Sequence, residues 1–276
     1  MSVVHTSIRE VLYEPPGPKA QRRIAAATAV SLAVLAAAVA LMIRQFYVTG
    51  QLDAEKWRFF TRYTTWKFIG NGLAGTLKVA LAAGGIAFLF GLLLMLGRIG
   101  KSRFLRAVSV SLIEFSRGVP TLLFIYFFFL IAPQFGLKLP AFWKIAVPVA
   151  VSASGVVAEV LRSGVNAVPK GQTEAAVSLG MRDGSVFFKI VFPQAFRYVI
   201  PALIAELVIV LKDTTFAYVV NYADLMQNAK VLISNYDALL PVYLVVALLY
   251  IAINYILNKL SVAVARRENR PAVIAK

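Results

Sequence analysis

The stretch Ile24-Ala-Ala-Ala-Thr-Ala-Val-Ser-Leu-Ala-Val-Leu-Ala-Ala-Ala-Val-Ala-Leu-Met-Ile43 runs for 20 residues without a charge. At 1.5 Å per residue a helix of that length reaches about 30 Å, the thickness of a bilayer's hydrocarbon core. Arg22 and Arg23 stand just before it, and no short apolar core with a small-residue cleavage site precedes it, so it reads as a retained helix and not a signal peptide. Five more apolar blocks follow. They are Asn71 to Gly97 (broken only by Lys78), Val119 to Leu137, Ile145 to Ala158, Tyr198 to Leu211 and Ala238 to Asn258. The expected fold is therefore an all-α polytopic membrane protein.

Composition agrees. Apolar residues make up 59% of the 276 and charged ones 15%, against under a half and about a quarter in soluble domains. Lys and Arg number 29 against 13 Asp and Glu, a net charge of +16. In a soluble chain that excess would suggest nucleic acid. In a membrane protein it marks the cytoplasmic segments, so no nucleic-acid partner is expected. Placing both termini inside puts eighteen basic residues on the inner segments and nine on the outer ones. The chain has no cysteine and one histidine, His5. Thiol chemistry, Cys/His metal sites and a histidine-based hydrolase triad are thereby excluded. The Gly100-Lys101-Ser102 triplet lacks the strand and first glycine of a phosphate-binding loop, so no nucleotide is expected on this chain.

The blocks differ in character. The first and last are clean spans. The fourth and fifth look short, interrupted by Pro148 and Pro201 and polarised by Glu159 and Glu206. Broken helices persist at membrane depth only beside protein or a water-filled cavity, so these two are expected to line a pathway. Residues 49–69, with Trp57, Phe59, Phe60, Tyr63 and Trp66, read as an external amphipathic segment at headgroup depth.

The loop between the fourth and fifth blocks reads Pro169-Lys-Gly-Gln-Thr-Glu174-Ala-Ala-Val-Ser-Leu-Gly180-Met-Arg-Asp-Gly184-Ser-Val-Phe-Phe-Lys-Ile190-Val-Phe-Pro193. Glu174 to Leu179 is a good helical run, Gly180 suits the left-handed residue that ends a helix, and Asp183 suits the N-cap of a second, reaching about Pro193. A mere connection would not need a helix-turn-helix; this one looks made to fit a partner's groove.

Here the chain resembles a family. Glu174, Ala175, Ala176, Gly180, Ile190 and Pro193 stand in the register of the EAA motif of ABC-importer permeases, with Phe192 where leucine is commonest. Glu114-Phe-Ser-Arg117-Gly-Val-Pro120-Thr resembles the E-x-x-R-G-x-P signature of the polar amino-acid uptake branch. Ala158-Glu159-Val-Leu-Arg162-Ser-Gly164 is similar to its A-E-x-x-R-G-G stretch, with Ser163 replacing a glycine. Lys212-Asp213-Thr214-Thr215-Phe216 resembles its K-D-T-S-L.

The resemblance covers roughly residues 70–265 and implies a five-helix permease core, preceded by one extra helix at 24–48. A tail at 1–23, the coupling loop at 169–193 and a C-terminal tail at 266–276 complete the plan. Such an N-terminal extension is similar to that of actinobacterial glutamate permease subunits. The implied partners are two ATPase subunits carrying Mg-ATP, a second permease (identical or related), an extracellular solute-binding protein, an amino acid and membrane lipid. The implied location is the bacterial plasma membrane, with both termini cytoplasmic.

Individual residues carry two readings each. Arg117 is a headgroup anchor or a gate paired with Glu114. Glu159 and Arg162, at i and i+3, are a salt bridge, or Glu159 meets a substrate ammonium. Glu206 has no basic neighbour at helical spacing, so its partner comes from elsewhere. Lys212, Asp213, Thr214 and Thr215 form a solvated turn or a gate. An ion-driven secondary transporter is the competing function, but the chain shows no internal repeat.

Overall fold

A computed structural model describes residues 17–268, the last three of these by backbone alone. His5, Arg9 and the rest of residues 1–16, together with residues 269–276, lie outside it. The chain forms two units that part at Ala54 and Glu55.

The first unit holds α1 (Pro18–Val48), none of whose residues is buried. It begins before Ile24, so Lys19, Arg22 and Arg23 sit on the helix and not in a tail. Thr49 ends it, and Thr49 Oγ1 donates to the Gln45 carbonyl at 2.9 Å.

A 3-10 turn (Ala54–Thr61) starts at the last residue of the first unit, and the second unit continues with α2 (Tyr63–Ile99). The expected surface segment at 49–69 is thus replaced by a turn and the first helical turns of a span. Phe59 is buried and stacks on Tyr236 at 4.4 Å between ring centroids, so this aromatic is covered by protein and not by headgroups. The buried line of α2 is made of small residues, Gly72, Thr76, Ala80, Ala83, Ala87 and Gly91, and ends on the larger Met95. Spacings of three and four place them along one face. Lipid tails give no hydrophobic drive between helices, so close backbone approach supplies the adhesion. A Cβ on Gly91 would stand 2.7 Å from Val157 Cγ1 and 2.9 Å from the Ser154 carbonyl.

Next come α3 (Arg103–Gly118) and α4 (Thr121–Tyr126), which continues through a π turn (Phe127–Ile131) and a 3-10 turn (Ala132–Phe135). The path bends by 97° between α3 and this continuation. Then α5 (Ala141–Ala167) runs unbroken through Pro148. It is neither short nor interrupted, as the uncharged run suggested, because the charge of Glu159 is met by neighbouring arginines and the helix continues past it.

The loop helix α6 (Lys170–Ser178) follows, then α7 (Asp183–Val186), a π turn (Phe187–Val191) and α8 (Phe192–Asp213). The second loop helix does not stop at Pro193; it flows into the next span. A proline ring crowds the carbonyl four residues back, and the wider π turn ending two residues earlier takes up that misfit. The π turn Phe127–Ile131 stands in the same relation to Pro133. Pro201, also expected to break its span, lies inside α8, and Ser261 Oγ donates to its carbonyl at 2.9 Å. A 3-10 turn (Thr214–Val220), α9 (Leu225–Tyr236) and α10 (Leu239–Glu268) complete the unit. Among the described residues, five helices are long and apolar enough to cross a membrane, or six if the bent pair counts as one span.

Candidate functional site

Three groups of side chains stand out, one at the loop, one at the adjacent ends of α2 and α5, and one between the helices.

At the loop, α6 closes in a Schellman turn. The Gly180 amide donates to Val177 O at 2.8 Å and the Met181 amide to Ala176 O at 3.2 Å. Gly180 has φ +75°, the left-handed conformation expected of it, and a Cβ there would meet nothing within 4 Å. Ala176 is buried with Val168, Val186, Val191 and Ala195, which fastens the loop to the start of α8. Glu174 and Ala175 stay exposed, as do Val177, Phe188 and Leu179, the last at 83%. Lysine and aspartate tie the loop to the turn between α2 and α3, with Lys101 Nζ 2.5 Å from Asp183 Oδ2. That bond holds the Lys101 ammonium above its ordinary pKa. Asp183 is the first helical residue, preceded by Arg182 as N-cap, one place from expectation. A cleft of about 530 Å³ opens beside Glu174, Thr173, Val177, Phe187 and Val191. Ile190 packs against the loop cluster, and Pro193 opens α8.

At the second group, Glu159 is engaged twice. Oε1 pairs with Arg98 Nη1 from α2, and Oε2 accepts from Arg162 Nε and Nη2 at 3.0 and 2.8 Å. The carboxylate is thus engaged by two guanidiniums, the pairing with Arg162 being the i, i+3 salt bridge that the spacing allowed. Arg98 was counted only as a loop charge; no local spacing reveals a partner 61 residues away. Arg117 Nη1 lies 3.7 Å from Glu114 Oε1, as the i, i+3 spacing suggested.

Between the helices, Asp213 Oδ2 accepts from Thr121 Oγ1 at 2.9 Å. Thr121 Oγ1 also lies 2.9 Å from Ser152 Oγ. A hydroxyl carries one proton, so Thr121 gives it to Asp213 and receives one from Ser152. Glu206 stands two helical turns before Asp213 on the same face of α8. It is 6% exposed and has no hydrogen-bond or ion-pair partner among the described residues. It lines a cavity of about 310 Å³ with Leu81, Gly84, Gly85, Phe88 and Leu203. The other members of that cluster separate: Lys212 is exposed, while Thr214 is buried and bonds Leu211 O at 2.7 Å, closing the helix end. Ser152 escaped the sequence reading and Thr121 entered it only as the end of the Glu114–Thr121 signature, because nothing local marks either as part of the hydrogen-bonded line to Asp213.

A third acid lies outside the spans. Asp224 caps α9, its Oδ1 accepting from the Gln227 amide at 2.7 Å, while Oδ2 is buried without a partner. Burial pushes this carboxyl up to about 6. Among the described residues no cluster of His, Cys, Asp or Glu is placed to hold a metal ion.

Residues 87–270 match the family described as binding-protein-dependent transport system inner membrane component. The chain is 36% identical to the glutamate transport system permease protein GluD of Corynebacterium glutamicum, over 82% of this chain and 86% of that one. It is 34% identical to the probable glutamine ABC transporter permease protein GlnP of Bacillus subtilis, over 74% and 93%. Among solved structures, an amino acid ABC transporter crystallised with histidines shares 32% identity at a TM-score of 0.71, covering 76% of this chain and 98% of that one. The inward-facing methionine transporter MetNI shares the fold at a TM-score of 0.65 and 18% identity.

Proposed function

The chain belongs to the family of binding-protein-dependent transport system inner membrane components, and from that premise we propose that this multi-pass permease of an ATP-driven importer carries a polar amino acid. The glutamate and glutamine permeases among its relatives support that class, with glutamate first. The observation that carries the coupling is the loop at 169–193. It is fastened to the bundle through Ala176, closed by Gly180, and exposes Glu174, Val177, Leu179 and Phe188. Such an apolar knob with an acidic flank suits a groove on a separate ATPase. Two ATPase subunits binding Mg-ATP would then drive two permeases between two packings, supplied by an extracellular binding protein. The loop side is the cytoplasm, and both termini share it.

For the pathway, the face of α8 bearing Glu206 and Asp213 is the best-supported lining, since an acid kept inside an apolar cavity has few structural uses. Its carboxylates suit a substrate ammonium. Arg117, Lys212 and Thr214 are left as flanking residues, and Glu159 with Arg162 as a structural tie.

The test is co-purification of the tagged native chain beside Glu174→Lys and Gly180→Arg. The ATPase is expected with the native chain, and lost or uncoupled in the variants. A native chain that purifies alone and moves solute down an ion gradient overturns the proposal.

A further inference from the structure

Helix α3 carries three faces where a buried or lipid-facing helix carries one or two. At 3.6 residues per turn, Ser109, Ile113 and Ser116 share a line, and these are its buried residues. They seat it on α2 and α5 at glycines: a Cβ on Gly97 would meet Ser109 Oγ at 2.1 Å, and one on Gly155 would meet Ser116 Oγ at 2.0 Å. About 100° round the helix, Phe104, Val108, Leu112 and Phe115 form a second line. They are exposed, Phe104 at 74% and Phe115 at 58%. Arg103, Arg106, Glu114 and Arg117 form a third line, facing away from the second.

The 97° bend before the next segment means that when the segment from Thr121 crosses the bilayer, α3 lies along its surface. The ion pair between Lys101 and Asp183 places the start of α3 on the same side as the coupling loop. A helix in that plane, with one apolar and one basic face, matches an interfacial helix. Arg106 Nη2 spends one donor on Gly100 O at 2.9 Å, and Arg103 has no hydrogen-bond or ion-pair partner among the described residues.

We propose that α3 lies in the leaflet on the coupling-loop side, with Phe104, Val108, Leu112 and Phe115 among acyl chains and Arg103 and Arg106 holding the phosphate of an anionic phospholipid. Naming that leaflet cytoplasmic rests on the function proposed above; the position of the helix does not. Three basic residues against one acid on the polar face favour an anionic headgroup over a zwitterionic one.

Because the chain has no cysteine, single nitroxide labels report cleanly. In nanodiscs, a label at Leu112→Cys is expected to be accessible to oxygen and shielded from a nickel chelate. A label at Ala107→Cys, on the basic side, shows the reverse. Short-chain phosphatidylglycerol is expected to bind the solubilised complex more tightly than phosphatidylcholine. Arg103→Gln with Arg106→Gln weakens that binding roughly 30-fold, the change for about 1 kcal/mol per basic residue, whereas the double lysine variant retains it. A Leu112 label closed to both reagents, with disulfide cross-links between two chains at that position, overturns the proposal and makes the face a contact between permeases. Equal binding of the two lipids overturns the headgroup assignment. Neither readout depends on whether an ATPase co-purifies.

Discussion

Gly180 is where one backbone angle is expected to control partner binding. It sits at φ +75°, and a Cβ would meet nothing within 4 Å, so alanine there suffers no collision. The whole penalty is conformational, about 1–2 kcal/mol for a side chain in the left-handed region. The loop is held by a small cluster around Ala176, and local opening costs less than global unfolding. The strain is therefore expressed as opening of the turn, with its bonds from Gly180 and Met181 lost. A partner that reads only the closed form then binds up to roughly 5- to 30-fold more weakly. Asparagine tolerates the left-handed region better than alanine, so Gly180→Asn falls between the two. The assay is the apparent Kd of the ATPase subunit for the permease in nanodiscs, alongside the thermal unfolding midpoint. Equal affinity for native protein and Gly180→Ala at unchanged midpoint refutes the reasoning. So does an asparagine variant as weak as the alanine one.

Three further outcomes follow from the same geometry. Gly75→Ala places a Cβ 2.3 Å from the Ala223 carbonyl, a backbone atom that cannot swing away, and is expected to destabilise by about 1–3 kcal/mol; Gly70→Ala, with open space around it, is expected to stabilise α2 by up to about 1 kcal/mol, and thermal melts in detergent compare the two. Glu159→Gln leaves Arg98 and Arg162, both only partly buried, facing each other and is expected to cost about 1–3 kcal/mol, more than Arg98→Met at about 1 kcal/mol; a reversed order sinks the triad argument. Asp224 has its folded pKa raised to about 6, above the unfolded value near 3.9. Its protonated form is favoured in the fold, so the stability it adds is full below about pH 4 and lost as pH rises through 6. Stability should fall over that window by an amount on the order of 3 kcal/mol, read as a falling melting midpoint, and Asp224→Asn, which keeps the cap, should flatten it.

Local chemistry made much of this protein legible before any coordinates. An uncharged run of 20 residues must be a bilayer-length helix, because unsatisfied backbone groups in lipid are too costly. Gly180 was recognisable as a left-handed helix end from what precedes it, and the six EAA positions marked out the loop in which α6 and α7 form. Each of these lies within about 25 consecutive residues, where spacing along the chain is the physics.

Where local reading stopped short, distant residues were responsible. Ile145 to Ala158 looked like a short, broken span because Glu159 ended the uncharged run; Arg98, 61 residues away, meets that charge and α5 continues to Ala167. Phe59 looked like a headgroup anchor until Tyr236 covered it. Pro193 looked like a stop, yet a π turn just before it lets the helix pass. Glu206 and Asp213 could be placed two turns apart from sequence alone, but which acid faces a cavity and which is bonded by Thr121 depended on α2, α4 and α5 arriving beside α8. Hydrophobic length and turn chemistry act between neighbours in sequence and set the spans and the loop. Charge neutralisation, glycine-permitted contact and cavity shape act across helices, and only their packing decided which polar residues are spent on the fold and which stay unpaired.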